Sequence, residues 1–331
     1  MHAAPSQHET FGPHGKLKWT ESKKICSKSG TSVARVHRDG QEAVKSAVRS
    51  DESENIYEKA KSLLKQGRFL EMTLLEKSDA AWKSFIYQLP QGTMKWILNS
   101  AIDTLPTLSN LKKWGKVSSD ICKICNVRRE TLAHITNNCE VALNQGRWNF
   151  RHDSILNFVS NCIERMEGME VYIDIPGQQT TAAGTVPPSV TVTSEKPDIC
   201  IVDRRPPRNS VHLYELTVPQ ESRIDEANRL KTNKYSHFLT DIRNRNVSIH
   251  PFEIGSATGH INDRNKSTLT SLHKFAKKDI PLKSFSSNIS AIAILCSYFI
   301  FNARKQKEWH SPGYVGPPLK MKTRNRNIGA S

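Results

Sequence analysis

The most constraining feature of the chain is a compact cysteine and histidine segment. Its spacing is C-x2-C-x8-H-x4-C, formed by Cys122, Cys125, His134 and Cys139. Zinc takes four tetrahedral ligands, and a C-x2-C turn supplies two thiolates while the second pair closes the site. The alternative is that these are incidental core residues, since three cysteines beside a core histidine would leave the site incomplete. The spacing favours a zinc knuckle over residues 118–145, structural rather than catalytic because four protein ligands leave no open position.

The charge balance favours a polyanionic partner. Lysine and arginine number 48 against 32 acidic residues, which gives a formal charge of +16 over 331 residues. The seven cysteines, an odd and partly clustered set, favour a reducing compartment over a disulfide framework. A basic chain in a reducing compartment makes nucleic acid the first candidate partner. The alternative is that the basic charge serves solubility alone.

Hydropathy argues against a membrane protein. Only 37% of residues are hydrophobic, and the longest apolar run, residues 289–301, is interrupted by Ser290 and Ser297. A membrane-spanning helix needs about 20 apolar residues, so this run predicts a buried core helix. The first residues contain no apolar stretch, and we therefore expect neither a secretory signal nor a membrane partner.

Periodicity and chain breakers predict a mixed α/β (α+β) protein with irregular ends. Residues 1–54 are polar and lack sustained periodicity, which predicts a disordered basic arm, and residues 311–331 are predicted to be a basic disordered tail. Residues 55–117 are predicted to be largely helical and residues 150–310 to form a small α/β domain. The predicted helices are 56–67, 69–88, 94–113, 152–167, 221–244 and 265–278, and the predicted strands are 171–175, 198–203, 211–218 and 247–254.

Two carboxylates stand out in the predicted strands. Side chains alternate along a strand, so Glu215 shares a face with Val211 and Leu213, where an unpaired carboxylate is costly. Asp198 opens the neighbouring strand, and a hairpin can bring the two carboxylates together. Such an oxygen-rich pair suits Mg²⁺. The alternative is that Glu215 points to solvent or pairs with an arginine.

The helix that follows carries a lysine in an unusual place. Ile224, Ala227 and Tyr235 belong to one apolar stripe, with Lys231 near its centre and Lys234 at its edge. Lysine on an apolar face is disfavoured unless it has an anionic partner. A lysine facing two carboxylates can orient an attacking water or stabilise charge on a scissile phosphate. The alternative is that Lys231 extends along the helix to solvent.

Four stretches of the sequence together resemble a known family. They are Asp103-Thr104-Leu105-Pro106-Thr107 with Asn110-Leu111 and Trp114, the knuckle from Cys122 to Cys139 with Glu130-Thr131-Leu132-Ala133-His134, Arg151-His152-Asp153, and Lys196-Pro197-Asp198-Ile199 with Glu215 and Lys231 to Tyr235. In this combination the chain resembles the C-terminal part of the polyproteins of site-specific non-LTR retrotransposons that carry a restriction-like endonuclease. The resemblance covers about residues 56–310.

The resemblance implies a domain order and an activity. Residues 55–117 would be a remnant of the reverse-transcriptase thumb, and residues 150–310 a restriction-endonuclease-like core of the PD-(D/E)xK type that nicks target DNA. Asp198 and Glu215 would hold a catalytic Mg²⁺ beside the structural Zn²⁺ of the knuckle. Lys231, or as second choice Lys234, would be the catalytic lysine, and Tyr235 would line the site. Thr217 stands where the restriction-enzyme pattern places lysine, which implies that the lysine has moved to the helix.

The same resemblance limits what the chain is expected to do. No Tyr-x-Asp-Asp sequence occurs, so we expect a fragment of such a polyprotein without reverse transcriptase activity. DNA would be its partner, with element RNA as a second candidate, and the nucleus its location. One alternative is a non-catalytic zinc-containing protein that binds nucleic acid through its basic arms, and another is an inert fossil. The arm residues are Lys16, Lys18, Lys23, Lys24, Lys320, Lys322, Arg324 and Arg326.

Overall fold

The computed structural model of the chain describes residues 38–63, 67, 84–176, 185–191, 193, 195–206, 209–241 and 246–320. The chain divides into two compact units, residues 1–67 and residues 68–331. Parts of the predicted arm, of the helix predicted at 69–88 and of the predicted tail lie outside the described residues. So do the arm residues Lys16, Lys18, Lys23, Lys24, Lys322, Arg324 and Arg326.

The smaller unit contains helix α1 (Arg38–Lys61). This helix corrects the prediction of a disordered arm that extends to residue 54 and of a helix that starts near residue 56. The prediction failed because it relied on an apolar stripe, whereas this helix is polar on nearly all sides. Pairs three residues apart support it, with Lys45 Nζ 2.7 Å from Glu42 Oε1 and Lys61 Nζ 3.7 Å from Glu58 Oε1.

The larger unit combines helices with one sheet, which confirms the predicted mixed class. Its helices are α2 (Gln91–Ala101), α3 (Leu108–Lys113), α4 (Glu140–Asn144), α5 (Arg147–Cys162), α6 (Ile224–Asp241), α7 (Asp263–His273) and α8 (Leu282–Asn302). Its strands are β1 (Met169–Ile173), β2 (Ile199–Asp203), β3 (Ser210–Thr217) and β4 (Val247–Glu253). A π-helical turn spans His134–Asn138, and a short 3₁₀ helix, Glu221–Arg223, leads into α6.

The four strands form one sheet in the order β1-β2-β3-β4. The first two pairings are antiparallel, and β3 pairs with β4 in parallel. Parallel neighbours need a crossover connection, and α6 provides it. The two faces of the sheet are packed differently, because side chains alternate along each strand. Tyr214 and Leu216 join the main core, whereas Val211 and Leu213 join a smaller cluster with Tyr235 of α6.

Helix α8 lies in the centre of the unit. Its residues Phe285, Ile289 and Ile292 belong to the main core, and its Ile294 and Phe301 belong to a second core with the residues of α2. By length and composition this helix could also cross a membrane. Most of its residues are buried within the unit, as predicted for a core helix.

Two further predictions about local structure need correction. The helix predicted at 94–113 is interrupted, because α2 ends at Ala101 and α3 begins only at Leu108, after Pro106, whose ring nitrogen cannot donate a hydrogen bond. The predicted disordered tail is ordered as far as residue 320. There the backbone N–H of Val315 donates to Ser154 Oγ at 3.2 Å, and that of Leu319 donates to Asn288 Oδ1 at 3.0 Å.

Candidate functional site

The zinc ligands predicted from spacing are assembled by short local elements. A single bridge pairs Ile121 with Arg129, and the Cys122 N–H donates to the Arg128 carbonyl at 2.8 Å, which closes the first turn. Asn126 takes a positive φ of 54° in that turn. His134 begins the π-helical turn and Cys139 directly follows it, so these elements direct both pairs of ligands to one point.

The ligand atoms of Cys122, Cys125, His134 and Cys139 all lie within 4.8 Å of one another. Zn–S bonds of about 2.3 Å at tetrahedral angles place sulfur atoms roughly 3.8 Å apart, so this donor set fits zinc. Burial raises the pKa of Cys122 to about 11 and also raises the pKa of Cys139. Thiols that would otherwise keep their protons need a divalent cation to become thiolates here.

The two carboxylates predicted in the hairpin lie opposite each other. Strands β2 and β3 pair Ile199 with Tyr214, so the antiparallel register places Asp198 across from Glu215, with both side chains on the same face. The Leu216 N–H donates to Asp198 Oδ2 at 2.6 Å. Both residues are buried, Asp198 at 8% and Glu215 at 3% exposure. Glu215 therefore does not point to solvent.

Glu215 is held by two side chains of α6. The Lys231 ammonium donates to Glu215 Oε1, and the Tyr235 hydroxyl donates to Glu215 Oε2 at 2.8 Å. Burial and the charge of Asp198 raise the pKa of Glu215, although Lys231 and Tyr235 oppose that shift. Lys234 donates instead to the Tyr235 hydroxyl at 3.1 Å and pairs with Glu195 Oε2 at 3.4 Å. The structure thus brings Lys231, the first-choice lysine, to the carboxylates.

A histidine that received no role in the sequence analysis lies at the same carboxylates. His152 Nε2 is 3.2 Å from Asp198 Oδ2, and its Nδ1 is 3.1 Å from Asp153 Oδ1. Burial alone would lower the pKa of His152, but the charges of Asp198 and Asp153 outweigh it and raise the pKa to about 10. The only sequence signal for this residue was the Arg151-His152-Asp153 stretch.

A third acid lies beside Asp198 on the other side. The register of β1 and β2 places Asp174 opposite Asp198, and the Asp174 N–H donates to the Asp198 carbonyl at 2.9 Å. Asp174, Asp198 and Glu215 therefore follow one another across three strands at one end of the sheet. Within the residues that the structure describes, they do not form a three-ligand cluster as tight as that of the cysteines and histidine.

The zinc-binding segment is joined to the sheet by buried polar contacts. Arg151 is 3% exposed, and its guanidinium donates to the carbonyls of Thr136 and Val218, both at 3.1 Å. The Asn137 amide also donates to the Val218 carbonyl, at 2.7 Å. Thr136 and Asn137 belong to the π-helical turn, and Val218 follows β3 directly. Arg151 and Asn137 therefore clamp the turn that precedes Cys139 to the end of the strand that carries Glu215.

The clamp contains an unusual buried charge. Within the described part of the chain, no salt bridge joins Arg151 to a carboxylate, and its Nε has no hydrogen-bond partner. Burial lowers the pKa of Arg151 to about 10, so the guanidinium is still charged at neutral pH. A buried charge without a counter-ion is costly.

A cleft of about 420 Å³ opens above this junction. Its lining includes His152, Asp198 and Lys231, together with Asn138 of the π-helical turn and Trp148 of α5. Residues of the β2–β3 hairpin region that carries the two carboxylates and residues of the zinc-binding segment line the same cleft. A ligand bound there would therefore contact both.

The comparison with protein families agrees with the zinc site. Residues 62–145 match the model of a family described as zinc-binding in reverse transcriptase, which supports the Cys122, Cys125, His134 and Cys139 cluster as a zinc site. The match covers about a quarter of the chain. It begins at residue 62, so it includes most of the helical segment that precedes the predicted knuckle. No curated protein matches the chain. Residues 62–145 are thus a zinc-binding domain of the kind found in reverse transcriptase-related proteins.

Proposed function

We propose that the chain is a Mg²⁺-dependent endonuclease that nicks DNA, a retrotransposon-derived fragment with a structural zinc-binding domain. The observation that carries this proposal is the buried contact of Lys231 and Tyr235 with Glu215, opposite Asp198 at the end of a cleft. Such a group has few structural reasons to exist, because an apolar packing of similar volume avoids the cost of desolvating the charges.

The chemistry of the carboxylates suits one divalent cation. Mg²⁺ binds through one or two carboxylates and completes its shell with waters and substrate phosphate, and Asp198 and Glu215 supply that number. When bound, the ion would lower the pKa of a water and stabilise the charge that develops on the phosphate. Without a cation, the two carboxylates would repel the phosphates of DNA.

The side chains around the pair have separate roles in this proposal. Lys231 holds a positive charge beside Glu215 and so stabilises an anionic phosphate at the mouth of the site. Tyr235 fixes the Glu215 carboxylate by donating its hydroxyl proton. His152 orients Asp198 through the contact at its Nε2. The overall charge of +16 supplies affinity for DNA through phosphate contacts.

The test is nicking of supercoiled plasmid by the zinc-loaded full chain in Mg²⁺. We expect Asp198→Asn to abolish nicking while the protein still binds DNA. Asp279→Asn, which changes an exposed aspartate outside the cleft, is the matched control and should nick normally. If folded wild-type protein binds DNA with strong salt dependence but never nicks it, the non-catalytic binding protein is the better account.

A further inference from the structure

The cleft lining includes three amide side chains in addition to the carboxylate and the lysine. Asn138 comes from the π-helical turn, Asn149 from the first turns of α5, and Gln220 from the connection between β3 and α6. Asn138 and Asn149 are exposed, and Gln220 is half-buried. Within the described residues none of these three side chains makes a hydrogen bond or an ion pair.

Two other amide side chains nearby in the sequence differ from these three, because they are hydrogen-bonded within the fold. The Asn137 side chain is hydrogen-bonded within the fold, since it donates to the Val218 carbonyl and its Oδ1 accepts from Ser256 Oγ at 2.9 Å. Gln145 donates to the Lys307 carbonyl at 2.5 Å. These amides stabilise the fold, whereas the three amides of the lining have donors and acceptors available to a ligand.

The cleft also has an apolar wall and fixed sides. Trp148 and Leu230 line it, and Leu230 is 58% exposed. The clamp of Arg151 and Asn137 holds the zinc-binding side of the cleft against the sheet side. Binding sites of this size are usually preformed and combine apolar walls with a few convergent polar groups.

We propose that the part of the cleft lined by Asn149, Gln220 and Trp148 binds one nucleobase, adenine in preference to the others, from the strand whose phosphate lies at Asp198 and Lys231. The proposal rests on the proposed function, because it takes the ligand at the carboxylate end to be a nucleic-acid phosphate. A planar base has an apolar face for Trp148 and polar edges for the amides. Lys231 and Asn138 line one cleft, so a nucleotide bound there can contact both.

The choice of adenine follows from the amides. An Asn or Gln side chain offers one donor and one acceptor side by side, which matches N7 and N6 of adenine. Stacking on an aromatic ring adds affinity for any base and therefore does not discriminate. A cleft that accepts one base requires that base to leave the helical stack, so an unpaired nucleotide should bind better than a paired one.

The experiment uses the zinc-loaded full chain and short DNA duplexes with one unpaired nucleotide. The unpaired position carries adenine, guanine, cytosine, thymine or an abasic site, and Ca²⁺ replaces Mg²⁺ so that affinity is measured without cleavage. We expect the adenine duplex to bind about tenfold more tightly than the abasic duplex. Asn149→Ala and Gln220→Ala should each reduce that ratio. Asn144→Ala, an exposed asparagine outside the cleft lining, should preserve it.

Each outcome bears on the proposal. Equal affinity for all five duplexes, a preference for another base, or an unchanged ratio in both cleft variants with intact zinc content would overturn it. Nicking of the same duplexes in Mg²⁺ tests the nuclease separately. A base preference that depends on Asn149 in a protein that never nicks would contradict the nuclease and retain the base-binding cleft.

Discussion

The zinc cluster can be compared with the acidic site, which is the group of Asp198, Glu215, Lys231 and Tyr235. Each contains four side chains, but the chain brings them together in different ways. All four zinc ligands fall between Cys122 and Cys139, and two short turns bring them together. Asp198, Glu215, Lys231 and Tyr235 come from two strands and a helix, and their meeting depends on the register of β2 with β3 and on the crossover by α6. The first site is encoded by spacing, and the second requires the sheet.

Because of this difference, the two sites depend on different interactions for their stability. A zinc site of four protein ligands is closed and contributes to folding directly. The acidic site depends on contacts that surround it, including the clamp that joins it to the zinc-binding domain. The two sites are therefore expected to respond differently to loss of metal, of a single side chain, or of a proton.

The largest effect is expected from loss of zinc. Cys139→Ser should remove the bound zinc and lower the free energy of unfolding by more than about 4 kcal/mol, because a structural metal site is lost. Metal content and urea unfolding on the same samples measure both. Cys162→Ala, a buried cysteine outside the cluster, serves as the control. Retention of one zinc in Cys139→Ser would contradict the ligand set.

The next effect concerns the acidic site alone. Lys231→Met should reduce the rate of plasmid nicking by about a hundredfold or more, because a charge beside the reacting phosphate is removed. Zinc content should not change. Lys234→Met alters the same helix at a residue that does not contact Glu215, and it should reduce the rate far less. Equal losses in the two variants would contradict the assignment of Lys231.

The clamp tests whether the two sites are connected. Arg151→Met leaves the carbonyls of Thr136 and Val218 without their donor, and we expect the free energy of unfolding to fall by roughly 1–3 kcal/mol. Arg151→Lys, which keeps a donor and a charge, should recover part of that loss. Urea unfolding measures both variants. If Arg151→Met had the same free energy of unfolding as the wild type, the clamp would make no contribution to stability.

A separate effect is a pH dependence in the sheet that carries Glu215. Burial, with the charges of His212 and Lys274, lowers the pKa of His250 to about 4. The unfolded chain binds a proton at this histidine between about pH 6.5 and 4 while the folded chain does not, so stability falls as pH falls through that window. His250→Gln should flatten this part of the stability curve. A curve as steep as that of the wild type between about pH 6.5 and 4 in His250→Gln would contradict this assignment.

Sequence patterns predicted the zinc site and the strands well for a common physical reason. The zinc ligands interact within one short segment, and the strands between Val171 and Ile254 alternate with turns that mark their ends. The burial of Glu215 was also predictable, because it shares a strand face with Val211 and Leu213. In each case the information lies within about twenty residues.

The residues that the sequence did not identify depend on distant pairings. Asp174 joins Asp198 through the register of β1 with β2, and periodicity within one strand cannot supply that register. His152 reaches Asp198 because α5 packs at the end of the sheet. Arg151 resembles an ordinary surface arginine in sequence, and its burial follows from contacts with Thr136, Val218 and Ser297 in three separate segments.

The most direct test of the central proposal is to measure nicking and DNA binding on the same zinc-loaded samples of wild type and Glu215→Gln. Glutamine keeps the shape of the side chain and the contact with Tyr235 but removes the charge that would hold Mg²⁺. The account predicts that Glu215→Gln binds DNA as the wild type does and no longer nicks it. Nicking at the wild-type rate by Glu215→Gln would contradict the proposed active site.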